Sequence, residues 1–316
     1  MKRIFSILLV VAMLLSLVAC GGGKLSMGTG SSTGTYYSYG GVLSQYMTNN
    51  AGIEVVPVST GGSKSNIQGI DGGDYQLGTV QSDVMHYAWN GTRSFEGASI
   101  KTFRTIAGLY AEAVQLVTVN PDIKSVEDLK GKKVSIGDPG SGVYFNAMDV
   151  LAAAGLTDKD IIPQLQNFDD SADALKDGLI DAAFIVAGAP TNAISQLSMT
   201  NSNVRIIPID GAIAEKLMQD NNFYSVYKIP ANTYDKQTEE VTTVTVKATL
   251  IVDAEASEDD VYKLTASIFD NIEAITKENK KGAELTLENA TQGLTVPFHA
   301  GAAKYFKEKG IEVAVE

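Results

Sequence analysis

Between residues 25 and 89 the chain repeats one pattern three times: a short apolar run, a polar loop, then an amphipathic helix. Leu25 to Gly28, Ile53 to Val58 and Tyr75 to Val80 read as strands. Tyr36 to Met47 has helical spacing through Tyr39, Val42, Leu43 and Tyr46. A second helix opens at Thr60-Gly61-Gly62-Ser63 and runs through Asn66, Ile67 and Ile70, and a third opens at Gln81 and reaches about Trp89. Alternation of this kind predicts a parallel sheet, because a strand followed by a helical crossover returns to the same end of the sheet.

The middle of the chain repeats the theme. Strands are expected at Lys133 to Gly137, Ala182 to Val186 and Val204 to Ile209, and helices at Val143 to Ala154, Ala172 to Lys176, after Pro190, and at Gly211 to Gln219. Ser125 to Asp128 has the capping-box spacing of a short helix. Arg104 to Asn120 and Tyr227 to Val252 are β-branched and lack helical period, so they read as crossings between two halves. A long amphipathic helix, Ser257 to Lys277, and a helical tail follow. The predicted architecture is α/β with two lobes. Residues 25–112 with 232–316 form lobe I, residues 113–231 form lobe II, and two hinge crossings join them.

The N-terminus carries a different signal. Lys2 and Arg3 precede an apolar run from Ile4 to Leu17, which ends in Leu17-Val18-Ala19-Cys20, and Cys20 is the only cysteine. The pattern predicts a lipoprotein-type signal peptide over residues 1–19. Residues 20–24 form a glycine-rich tether lipidated at Cys20, and the mature chain is extracytoplasmic and anchored to a membrane. With no other cysteine, disulfides and thiolate chemistry are excluded from the mature part. Loss of Lys2 and Arg3 takes the formal charge from -12 to -14. An acidic chain with three arginines beyond the signal (Arg93, Arg104 and Arg205) is unsuited to nucleic acid, which needs clustered cations. The two histidines, His86 and His299, lack a partner set for a metal or a nucleophile and read as packing or surface residues. No cofactor and no enzymatic activity are expected, and the chain is expected to be a monomer.

Four junctions share one makeup: Ser31-Ser32-Thr33-Gly34-Thr35, Thr60-Gly61-Gly62-Ser63, Gln81-Ser82-Asp83 and Gly140-Ser141-Gly142. Each follows a strand and precedes a helix, where open parallel sheets collect ligands. Helix-start N–H groups and small hydroxyls suit an anion without much formal positive charge. Ser and Thr are also ordinary helix caps. Gln81 is a candidate contact, and Asp83 is either a contact or a favourable charge at a helix start. Tyr36 or Tyr37 is a candidate wall. Glu112, in a crossing, reads as a solvated strand carboxylate, with recognition of an ammonium as its alternative. Gly28-Thr29-Gly30 lacks the third glycine of a dinucleotide fingerprint, and no phosphate loop is present.

The ordered series of motifs resembles the TAXI family of solute-binding proteins of TRAP transporters. The series comprises Gly28-Thr29-Gly30 through Thr35-Tyr36-Tyr37, Thr60 to Ser63, Val80 to Asp83, Asp128 to Lys132, Pro139 to Gly142, Phe184 with Val186-Ala187-Gly188, Ile229 to Tyr234, and Pro297-Phe298-His299. The resemblance covers nearly the whole mature chain. It implies a two-lobed periplasmic-binding-protein fold of type II and capture of a small carboxylate (a glutamate-like amino acid, a 2-oxoacid or a dicarboxylate). It also implies delivery to a TRAP-type permease driven by an ion gradient, with docking on a sensory receptor as the alternative role. It adds Val143 and Gly188 to the expected ligand contacts, Val143 standing where a threonine commonly follows Gly-Ser-Gly.

Overall fold

The computed structural model describes residues 24–315. The signal segment and Cys20 lie outside the described residues. Ten strands form one continuous sheet, in the order β2-β1-β3-β10-β4-β7-β5-β6, with β8 on β4 and β9 on β10. The strands are β1 Leu25–Gly28, β2 Val55–Val58, β3 Leu77–Gln81, β4 Phe103–Thr118, β5 Lys133–Ser135, β6 Ile162–Gln164, β7 Ala182–Ala187, β8 Arg205–Ile207, β9 Ser225–Ile229 and β10 Val241–Asp253. β1 pairs in parallel with β2 and β3, and β5 pairs in parallel with β6 and β7. The fold is therefore two small parallel units bridged by the long antiparallel pair β4 and β10.

Those two strands run through both halves. Ile106 to Tyr110 of β4 and Ala248 to Val252 of β10 pack with Tyr39, Leu43, Ile268 and Phe306 in one core. Val114 and Leu116 of β4 and Val244 and Val246 of β10 pack with Val134, Leu151 and Phe184 in another. The pairing of β10 with β4 shifts register between Lys247 and Thr249, where the chain passes from one core to the other. Tyr234 packs in a third, adjoining core with Ile185 and Ile194, and Val241 packs against it. The second crossing thus falls later in the chain than residue 232, because these residues belong to the middle unit's packing.

Elsewhere the elements depart from the sequence pattern for identifiable reasons. The stretch Tyr227 to Val252 holds two strands, reversed through the loop between Ile229 and Val241, in which Asn232 and Lys236 take φ 63 and 61. The helix expected over Ser257 to Lys277 is two, Glu258–Phe269 and Ile272–Glu278. It breaks where the Asn271 side-chain amide donates to Ser267 O (2.9 Å), competing with the backbone, and where Asp270 faces Tyr305 Oη (2.8 Å). The first helix, Thr35–Tyr46, passes into a wider turn over Met47–Ala51 that ends at Gly52 with φ 70. β6 was not legible because it is short and contains Pro163, which an edge strand tolerates.

Asn66 ties the first unit together. It is fully buried, and its amide donates to Thr29 O (2.6 Å) and Thr79 O (2.7 Å) while Oδ1 accepts from Thr60 Oγ1 (2.6 Å). It therefore links the ends of β1 and β3 to the loop after β2. Replacing it with Ala removes all three bonds, a loss of about 1–3 kcal/mol for each group that water does not reach, although Thr60 Oγ1 still donates to Thr29 O (3.0 Å) and accepts from Gly62 N (3.1 Å). We expect Asn66→Ala to destabilise the chain by about 3 kcal/mol in urea unfolding. A change below about 0.5 kcal/mol would show that the loop holds its shape without it.

Candidate functional site

The carboxyl ends of the parallel strands of both units open onto one cavity, with about 510 Å³ of atom-free space including its mouth. β1 leads to Gly30, Ser31, Gly34, Thr35 and Tyr36, β2 to Thr60, Gly61, Gly62 and Ser63, and β3 ends at Gln81. From the other unit, β5 leads to Asp138, Ser141, Gly142 and Val143, β6 to Asn167 and Phe168, and β7 to Val186 and Ala187. Glu112 enters from the middle of β4.

Three helices begin at the wall: Thr35–Tyr46, Ser63–Asp71 and Val143–Ala153. Their caps are Gly34, Gly62 and Gly142, and none makes a side-chain capping bond. The first N–H groups of a helix have no intrahelical acceptor and sit at its positive end. Glycine serves two separate needs here. Gly62 has φ 100, a conformation open to glycine at little strain, and a methyl on it would lie at ordinary van der Waals distance from the Ser141 backbone across the cavity. A methyl on Gly142 would overlap the Gln81 side-chain carbonyl. Gly142 lets the two units approach this closely.

Among the described residues no lysine or arginine lines the cavity, but two carboxylates do. Asp138 is tied into its own loop, accepting from Gly140 N (2.8 Å). Glu112 is not solvated, which corrects the sequence expectation. It is 2% exposed, and its Oε1 is buried without a hydrogen-bond partner. β4 is covered on both faces at this point, a burial that its alternation alone does not reveal. Burial pushes the Glu112 carboxyl up to about 8, against the lowering influence of Tyr110 and Lys281. The Gln81 Oε1 is likewise buried and unpartnered.

Of the residues singled out from sequence, Ser31, Gly34, Thr35, Tyr36, Gly61, Gly62, Ser63, Gln81, Ser141, Gly142 and Val143 come together on the lining. Ser32, Thr33, Ser82, Asp83 and Gly188 do not. Ser32 Oγ turns to Asp169 (3.1 Å), which also receives Ser31 Oγ (2.9 Å). Thr33 accepts the Ala193 amide on its carbonyl (3.4 Å). Ser82 Oγ accepts from Lys247 N (3.3 Å) and faces a separate groove. Asp83 is wholly buried and accepts from Asn146 Nδ2 (3.0 Å) and Val84 N (2.9 Å). Gly188 O accepts from Thr35 Oγ1 (2.8 Å) behind the wall. Asp138, Asn167 and Phe168 were missed. Asn167 precedes Asp170 with the spacing of a helix cap, and the Asn167 Oδ1 does accept from Asp170 N (2.9 Å), so that signal was available.

The histidines serve packing. His299 caps the helix Ala300–Glu308, accepting from Gly301 N (3.1 Å), while its Nε2 lies 3.0 Å from Ala256 O. His86 packs on Phe223 with ring centroids 4.9 Å apart. Among the described residues no cluster of three or more His, Cys, Asp or Glu is placed to hold a metal, and no helix is long and apolar enough to cross a membrane.

The chain matches the model of the NMT1-like family over residues 27–310. Among solved structures it is similar to a protein of Bordetella bronchiseptica RB50, with 17% identity, 90% of this chain and 88% of that chain covered, and a TM-score of 0.56. It is also similar to the alkanesulfonate-binding protein SsuA of Xanthomonas axonopodis pv. citri bound to MOPS, with 15% identity, 92% of each chain covered and a TM-score of 0.51. The fold is the two-lobed, periplasmic-binding-protein-like α/β fold.

Glu112 and Asp83 give the ligand-free chain a defined pH response. Both carboxyls are raised by burial, to about 8 and about 7, above the ordinary values of about 4 that they regain on unfolding. Such groups bind more protons when folded, so stability is highest in acid and falls as pH rises through the folded values. The unfolding temperature is expected to be lower at pH 8.5 than at pH 5.5. Glu112→Gln is expected to remove part of that difference. A variant that keeps the whole difference would place the sensitivity elsewhere.

Proposed function

We propose that this chain, which belongs to the NMT1-like family, is an extracytoplasmic solute-binding protein that closes two lobes around a small carboxylate and delivers it to a membrane permease. The observation that carries this reading is the convergence of three helix N-termini, each beginning at a glycine, on a cavity that among the described residues no lysine or arginine lines. Such a wall stabilises negative charge through fixed backbone dipoles. The alternating fold brings loops from two units to one gap, as a capture protein that closes by hinge motion requires. β4 and β10 serve as the two hinge strands.

Glu112 narrows the ligand. A desolvated carboxylate with an unpartnered oxygen on the wall calls for a cationic donor from the ligand. A molecule with a carboxylate at one end and an ammonium near Glu112 satisfies both features, so a glutamate-like amino acid is favoured over a 2-oxoacid or a dicarboxylate. The resemblance to TAXI proteins supports a TRAP-type permease as the recipient. The leader sequence supports cleavage before Cys20, and lipid on that cysteine would then hold the protein at the membrane.

The test is a thermal-shift and calorimetry screen with L-glutamate, 2-oxoglutarate and succinate. At 100 times its dissociation constant the true ligand adds about 2.7 kcal/mol to stability, and L-glutamate is expected to give the largest rise. No response to any of the three would remove the carboxylate assignment, while a response to 2-oxoglutarate alone would remove the role given to Glu112. Ser141 Oγ donates to Asp138 O (2.6 Å) and so shapes the loop before the third helix. Ser141→Ala is expected to weaken binding about tenfold while costing about 1 kcal/mol of stability through loss of the bond to Asp138 O. Unaltered affinity would take this loop out of the site.

A further inference from the structure

Beside the cavity, a second buried polar assembly joins the two units, and none of its members after Gln81 faces the cavity. Gln81 Nε2 donates to Asn146 Oδ1 (2.9 Å). Asn146 Nδ2 donates both to Asp83 Oδ2 (3.0 Å) and to Tyr224 Oη (2.8 Å). Tyr224 Oη donates to Asp149 Oδ2 (3.0 Å), and Arg93 Nη2 meets Asp149 Oδ1 at 2.7 Å. Gln81, Asp83 and Arg93 belong to the first unit, and Asn146, Asp149 and Tyr224 to the second. Gln81, Asp83 and Asn146 are each at most 2% exposed. Apolar packing surrounds the assembly, with Tyr87 against Phe145 (centroids 5.7 Å).

The donors are arranged in one sense, from Gln81 on the cavity wall outward to Asp149 at the rim. Every hydrogen-bonding group of the Asn146 amide is used. Separating the units would break each link made by Asn146 to Gln81 and Asp83, and would return Asp83 to water. The structure is thus closed around a carboxylate whose surroundings differ most between joined and parted lobes.

We propose that Asp83, held by Asn146 across the cleft, is a proton-sensitive latch that makes closure of the lobes, and with it ligand capture, stronger as the medium becomes more acidic. The proposal concerns regulation of the site described above and rests on the solute-binding reading for its effect on affinity. The groups facing Asp83 agree with it. Asp149, from the helix Val143–Ala153, adds a like charge. Arg93 is already engaged by Asp149, and the remaining titratable neighbours, Tyr36, Tyr87 and Tyr224, are neutral phenols whose own protons are held more tightly by burial. No cation is paired with Asp83, so in the closed form burial raises its carboxyl to about 7. A parted lobe restores the ordinary carboxylate value of about 4. Closure therefore takes up a proton between these values and strengthens as pH falls. Glu112 does not add to this when the ligand brings an ammonium, since it is then ionised in both forms.

The experiment has two arms on the full chain. In the first, calorimetry with L-glutamate at pH 6 and pH 8, in buffers of different ionisation enthalpy, is expected to give affinity about tenfold higher at pH 6, with net proton uptake. Asp83→Asn is expected to bind with no pH dependence in this range, and Asn146→Ala to bind weakly at both values. In the second arm, small-angle scattering follows the ligand-free chain carrying Glu112→Gln, which removes the other burial-raised carboxyl; it is expected to be more compact at pH 6 than at pH 8, with the added Asp83→Asn making it insensitive. A pH dependence that survives Asp83→Asn and vanishes in Glu112→Gln would overturn the proposal, as would compactness that does not change with pH in the chain carrying Glu112→Gln alone. Absence of any L-glutamate binding would count against the ligand reading alone, because the scattering arm reads the latch without it.

Discussion

The pairing of β4 with β10 is the constraint on which the rest of this molecule depends. Each strand gives one half of its length to each core, so neither unit completes its packing without the other. The two parallel units hang from opposite ends of this ribbon, and the carboxyl ends of their strands turn toward each other. The cavity follows from that connectivity. Two separate sheets joined by loops would not fix where Gly62 meets Ser141, or how Gln81 reaches Asn146.

Within that frame, an anionic ligand of the kind proposed would meet helix starts rather than formal cations, since no lysine or arginine among the described residues lies on the cavity wall. A lysine or arginine would offer a stronger single attraction, but it brings a large desolvation penalty when buried. Backbone amides at helix starts are already oriented and carry only partial charge, so little reorganisation is needed when an anion arrives. The same economy explains why a carboxylate is tolerated on the wall. Glu112 is held neutral or is matched by a ligand cation, and the Lys281 that moderates it is itself engaged by Glu284 (2.7 Å).

Local signals made much of this legible. The first three strand–loop–helix units, the long strand within Arg104 to Asn120 and the strand Ala182–Ala187 follow from local apolar pattern in the sequence. Eleven of the sixteen loop residues singled out from sequence reach the cavity lining, since position after a strand and before a helix is itself a geometric statement. What failed were properties set by distant partners. Asp83 is turned from the cavity by Asn146, and Ser32 by Asp169, neither of which lies near in the chain. Glu112 is buried near residues distant in the chain, Gly188 and Lys281 among them, and the break at Asp270-Asn271 depends on Tyr305 as well as on Asn271 itself. A single sequence records such residues but not their meeting.

One small feature at the margin of the sheet bears on how the molecule behaves in company. β6 closes the sheet at one end, with Ile162 and Leu165 exposed and Pro163 between them. A bare edge strand with such side chains is a template on which further chains stack through their main-chain amides. Proline has no amide hydrogen to offer, and only three residues form the edge. Addition of a further strand at this margin is therefore disfavoured, so copies that meet edge to edge have little main chain on which to join.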